Sequence, residues 1–188
     1  MAGCNLVLGL TVTQEWYDAG FEKLAGDDRW EAILQPHTFV EHWADPNYEA
    51  WTKAPTSPCA QNAASPDRVL LFAANWTFTT ADEWTQKLDA AVDAIKTKFA
   101  SVRQIVLLPM VRAPGNATCG DPKSVVLPHV DEAMDKVAER RPELVIAGPH
   151  FEVKSCDLFK KGGPHFTEQG GAEVAKVIAE HFAKAPSK

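Results

Sequence analysis

The chain lacks most of the features that mark specialised protein classes. No apolar run approaches the roughly 20 residues needed to span a bilayer, so no integral membrane segment is expected. Basic residues are in the minority, 19 Lys and Arg against 25 Asp and Glu, and the formal charge of −6 argues against nucleic acid as a partner. There is no Cys-x-x-Cys and no cysteine pair at zinc-ligand spacing. His37, Glu41 and His42 crowd one short irregular segment without a further firm ligand, so neither a metal nor an organic cofactor is expected. Internal repeats, low-complexity stretches and an interdomain linker are also missing, which leaves a single domain over residues 1–188. Tyrosine is scarce, two residues against six tryptophans, and Trp43, Trp51 and Trp76 could serve as stacking platforms for a sugar ring as well as for packing.

At 188 residues, 45% of them apolar, the chain is long enough to bury a proper core. Three of its four cysteines, Cys59, Cys119 and Cys156, sit in turn-like sequence; with Cys4 they fit disulfides of an oxidising compartment. The sequons Asn75-Trp-Thr and Asn116-Ala-Thr are compatible with secretion. Ala2-Gly3-Cys4 resembles the end of a lipoprotein signal, which would anchor the chain through Cys4. A secreted or extracytoplasmic location is therefore expected, and oligomeric state is left open.

Short apolar runs at Asn5–Val12, Arg68–Ala74, Ile105–Val111 and Leu144–Ala147 have the length of buried strands, with a weaker one near Ala32–Leu34. Between them lie helical patterns. The clearest follows Thr80 and Glu83, which form a capping-box pair, and repeats Trp84, Leu88, Val92, Ile95 and Phe99 on one face. Others run over Trp16–Ala25, Val125–Arg140 and Thr167–Ala183, and a Pro/Ser/Ala/Asn-rich loop occupies 52–67. Near-continuous apolar strands alternating with amphipathic helices predict a three-layer α/β/α sandwich around a mainly parallel five-stranded sheet, flavodoxin-like in type.

In such sheets, ligands bind beyond the carboxyl ends of the strands. Read there, the chain offers Thr11 after the first strand, Asn75 after the third and Arg112 after the fourth, with His165 in the loop before the last helix. A hydroxyl, a carboxamide and an imidazole on one edge are the parts of an acyl-transfer site: nucleophile, oxyanion donor and general base. Gly9-Leu-Thr11-Val-Thr13, Asn75-Trp76 and Gly162-Gly-Pro-His165-Phe-Thr-Glu-Gln-Gly170, in that order, resemble the motifs of the SGNH (GDSL-type) hydrolase family. The resemblance covers essentially the whole chain, as a divergent member.

Three departures bear on function. Thr11 stands where the family has serine, and its methyl stiffens χ1 and crowds the trajectory of attack. The glycine expected after the second strand is not evident. Gly162 occupies the place of the carboxylate that usually orients the histidine, so either His165 works without a carboxylate, or Asp157 or Glu152 substitutes, or a backbone carbonyl orients the ring. The resemblance implies a secreted esterase acting on a small ester, such as an O-acyl group of a carbohydrate. Thr11, Asn75, His165 and Asp157 would be the catalytic set, and Arg112, Trp76 and Trp43 the substrate contacts. The rival reading is a catalytically impaired or non-catalytic protein that binds a carbohydrate or small ligand on the same scaffold. The strand order of this fold also implies the disulfides Cys119–Cys156 and Cys4–Cys59.

Overall fold

The computed structural model of the chain describes residues 4–25, 30–53, 66–116, 119 and 127–183. Cys59, and with it the expected Cys4–Cys59 bridge, falls outside the described residues, as does most of the loop 52–67. Five strands, β1 (Asn5–Gly9), β2 (Trp30–Leu34), β3 (Arg68–Phe72), β4 (Gln104–Leu108) and β5 (Val145–Ala147), form one sheet in the order β2-β1-β3-β4-β5. Every pairing is parallel. Leu6 to Leu8, Val69 to Phe72 and Ile105 to Leu108 are all buried, as strands covered on both faces must be.

The helices are α1 (Thr11–Trp16), α2 (Glu22–Leu24), α3 (Val40–Trp43), α4 (Ala81–Lys98), α5 (Val130–Arg140) and α6 (Glu168–Ala183). A π-helical turn at Tyr17–Phe21 joins α1 to α2. α6 packs against α1 and α2, whereas α4 packs against α3 and α5, giving the two outer layers of the expected sandwich. Among the described residues, no helix is long and apolar enough to cross a membrane.

The expected capping box starts α4. Glu83 N–H donates to Thr80 Oγ1 at 3.2 Å, and Thr80 N–H donates back to Glu83 Oε2 at 3.1 Å. Hydrogen bonds from the Thr79 backbone and the Thr80 hydroxyl hold the Glu83 carboxyl below its ordinary range. Trp84, Leu88, Val92 and Ile95 of the predicted stripe are fully buried. Removing the cap with Thr80→Ala should cost about 1 kcal/mol of stability, measurable as a lower urea midpoint.

Several boundaries differ from the sequence reading. β1 ends at Gly9 instead of Val12, and the first helix starts at Thr11 instead of Trp16. Apolarity in Leu10-Thr11-Val12 suits a buried helix start as well as a strand. The chain turns there because Leu10 C=O accepts from Gln14 N–H at 3.0 Å and Leu10 N–H donates to Thr13 Oγ1 at 3.4 Å. Gly9 permits that turn, since a Cβ at this position would lie 2.3 Å from Thr13 Oγ1. β4 likewise stops at Leu108, and the irregular segment after Trp30 contains β2, α3 and a 3-10 turn at Glu49–Thr52.

Candidate active site

β1 and β3 are adjacent, and the order of connection reverses between them, so their carboxyl ends flank the crevice expected of an open parallel sheet. Thr11 emerges at the end of β1 as the first residue of α1 and is half-buried. Its N–H is one of those a helix start leaves without an intrahelical acceptor. One turn further along the same helix, four residues on, stands Glu15. Residues so spaced share a face, with Cβ atoms about 5–6 Å apart.

Glu15 meets the loop that carries His165. Its Oε1 is 3.1 Å from His165 Nδ1 and accepts from Lys160 Nζ at 2.8 Å, and its Oε2 accepts from Phe166 N–H at 2.8 Å. A carboxylate can only accept, so Nδ1 carries the proton; in the neutral imidazole that tautomer leaves the lone pair on Nε2. The loop is pinned on both sides. Phe159 and Phe166 pair across it, Lys160 N–H donates to His165 C=O at 2.7 Å, and Thr167 N–H donates to Leu158 C=O at 2.9 Å. α6 can come close enough to α1 because Gly171 lies against it; a Cβ there would be 2.9 Å from Glu15 C=O. Gly162 has φ +81°, a left-handed turn conformation that glycine adopts freely.

Asn75, just past β3, is 2% exposed and held on all sides. Its Oδ1 accepts from Thr77 N–H (2.6 Å), Thr77 Oγ1 (2.8 Å) and Phe78 N–H (3.0 Å). Its Nδ2 donates to Glu41 Oε2 at 2.7 Å. A carboxamide nitrogen carries two hydrogens, so one N–H is fixed in direction and has no acceptor among the described residues. Glu41 is brought there by α3, whose first residue donates Val40 N–H to Ala74 C=O at 3.0 Å. At this burial the Asn75 carboxamide lies inside the protein, where a glycan has no room.

Comparison of the whole fold with solved structures finds a protein of Desulfitobacterium hafniense DCB-2 described as lipolytic and of the G-D-S-L family. The two superpose with a TM-score of 0.60 over 95% of this chain and 99% of the other, at 12% sequence identity. The fold is GDSL-like. No protein-family model and no curated protein sequence matches the chain.

The remaining sequence-predicted residues find varied places on this GDSL-like fold. Asp157 and Glu152 are exposed, and neither bonds to His165; Glu15 does. Asp157 sits instead in the 3-10 turn Cys156–Leu158, its N–H donating to Ser155 Oγ. Arg112 extends its guanidinium to Asp131 on α5, which also lies 3.5 Å from His150 Nε2, so part of its fork is already engaged. Trp43 is fully buried, packed edge-on against Trp51 and Tyr48, and offers no surface to a sugar. Trp76 is half-buried and meets Phe39 edge-on at 5.0 Å. His42 Nδ1 accepts from Phe39 N–H, and among the described residues no three His, Cys, Asp or Glu side chains converge as a metal site. The Cys119–Cys156 disulfide is formed, with 5.1 Å between Cα atoms. It ties the loop after β4 to the turn that precedes the His165 loop.

Sequence reasoning missed Glu15 and Lys160, and weighed Glu41 only as a metal ligand. The spacing of Glu15 from Thr11 was a usable signal once a helix begins at Thr11. Glu41 and Lys160 left none, because their partners lie 34 and 145 residues away.

Proposed function

We propose that the chain is an esterase-like hydrolase that cleaves a small ester by acyl transfer through Thr11. The Glu15–His165 pair, set one helical turn past Thr11 on the same helix face, carries this reading. His165 Nε2 takes the Thr11 hydroxyl proton as the oxygen attacks the ester carbonyl carbon. The charge that develops on the carbonyl oxygen falls to the Thr11 N–H and the second Asn75 Nδ2–H. The imidazolium returns its proton to the departing alkoxide, leaving an acyl-threonine. Water, deprotonated by the same imidazole, then releases the acid and restores the hydroxyl. Glu15 holds the productive tautomer throughout.

A sugar alcohol draws support from Trp76 alone once Trp43 is in the core. The disulfide favours an extracytoplasmic setting.

The test is hydrolysis of p-nitrophenyl acetate by the chain and three variants. Thr11→Ser removes the crowding methyl and should raise kcat by about ten- to a hundredfold, the scale of a misplacement near 1 Å. Thr11→Ala and His165→Ala should remove turnover above that of the buffer. Unchanged rates in all three would overturn the proposal.

A further inference from the structure

Glu41 has no part in the acyl-transfer steps, yet its carboxylate touches one of the groups those steps use. It is half-buried, pairs with no lysine, arginine or histidine among the described residues, and has one hydrogen-bond partner there, Asn75 Nδ2. Its other oxygen, Oε1, accepts nothing from those residues. Aromatic rings that are only partly buried neighbour Glu41 and Asn75 along the chain. Phe39 begins the α3 turn two residues before Glu41, and Trp76, which follows Asn75, meets Phe39 at 5.0 Å. The His42 ring lies 5.2 Å from that of Tyr48, tilted against it.

An unpaired carboxylate so placed conflicts with an oxyanion. The two hydrogens of one carboxamide nitrogen point to Glu41 Oε2 and to the developing oxygen charge, which brings two negative charges to about 5 Å of each other. The conflict disappears when a cation sits against Glu41. A carboxylate beside ring faces and edges is also the pairing that recognises ammonium groups, through charge and through the ring quadrupole.

We propose that the crevice selects esters carrying an ammonium group, seated between Glu41 and the Phe39–Trp76 pair. This rests on the acyl-transfer reading for its catalytic consequence and not for the binding itself. The bound cation would neutralise Glu41 at the moment the oxyanion forms, so the preference should appear in kcat as well as KM.

Two measurements on the full chain separate the two ideas. Tetramethylammonium, followed by calorimetry and by tryptophan fluorescence, should bind saturably and lose affinity about tenfold in Glu41→Gln, which can still accept from Asn75. Absence of saturable binding to the unsubstituted chain overturns the cation site, whatever the esterase assay shows. The second measurement compares choline acetate with its neutral isostere 3,3-dimethylbutyl acetate. The unsubstituted chain should favour choline acetate about tenfold or more in kcat/KM, and Glu41→Gln should bring the ratio near one while raising turnover of the neutral ester. Equal turnover of both esters by the unsubstituted chain overturns the selectivity and leaves the esterase standing. Cation binding without hydrolysis of either ester supports the site and overturns the acyl-transfer reading.

Discussion

Glu15→Gln should lower kcat for ester hydrolysis by about a thousandfold or more, with a much smaller change in KM. The size follows from the tautomer of His165. Glu15 faces three donors, His165 Nδ1–H, Lys160 Nζ and Phe166 N–H, and accepts from all of them with its two oxygens. A glutamine has one acceptor and one NH2, so it cannot face all three in the same way. Lys160 Nζ and His165 Nδ1 share Oε1, so when the glutamine oxygen stays with Phe166 N–H its NH2 takes the Oε1 place, points at the imidazole, and the proton moves to Nε2. The nitrogen that should take the Thr11 proton is then already protonated. The ring stays in place, so substrate affinity should survive. Nitrogen NMR of the His165 ring gives the readout that a structural role would not move: Nδ1-protonated in the unsubstituted chain and Nε2-protonated in the variant. Activity within tenfold of the parent, with an unchanged tautomer, would remove Glu15 from its positioning role.

The second large effect is on the fold that delivers His165. Gly170, in the first turn of α6, lies directly against the Leu158 carbonyl; a Cβ there would be 2.0 Å from that oxygen and 2.9 Å from its carbon. Both are backbone atoms, which cannot swing aside as a side chain would. The same carbonyl accepts from Thr167 N–H and, at 3.2 Å, from Thr167 Oγ1, and Gly170 N–H donates to Thr167 Oγ1 at 3.1 Å. Gly170→Ala must therefore drive α6 from the Leu158 turn and stretch the contacts that close the His165 loop. We expect a loss of about 3 kcal/mol, the upper end for overpacking, seen as a lower urea midpoint. Activity should fall as well, since Phe166 N–H and His165 Nδ1 lose their register on Glu15. Gly163→Ala is the control: its Cβ would meet nothing nearer than His165 Cδ2 at 3.5 Å, so its midpoint should stay close to the parent's. Equal midpoints for Gly170→Ala and the parent would refute the account.

Much of this architecture could be read before any coordinates. The apolar runs around Val7, Leu70 and Leu107 announced strands covered on both faces, and Thr80 with Glu83 announced the start of α4. These signals are local: strand length, helical period and a cap three residues wide each fit within one element. That Thr11 follows β1 and Asn75 follows β3 was legible for a related reason. Parallel strands all end on the same side, so strand-end residues share an edge.

The orienting acid was less legible. Reading Leu10-Thr11-Val12 as strand placed Glu15 before any helix, where its spacing from Thr11 meant nothing. With the helix started at Thr11, the two stand one turn apart and Glu15 becomes the first carboxylate to examine beside His165. Asp157 and Glu152 are nearer to His165 in sequence but exposed in space. Trp43 misled in a similar way, because composition counts a tryptophan without saying which side of a four-residue helix it occupies.

Alone, then, the sequence determined the layered parallel fold, the cap of α4 and the strand ends at which a hydroxyl, a carboxamide and an imidazole are offered. Only the tertiary structure decided what holds them. His165 depends on a carboxylate 150 residues away, and Asn75 on one 34 residues away. Each pairing is set by how closely helices approach one another and the strand ends. That approach depends on glycine clearances and backbone hydrogen bonds between segments distant in sequence, and no local pattern encodes it.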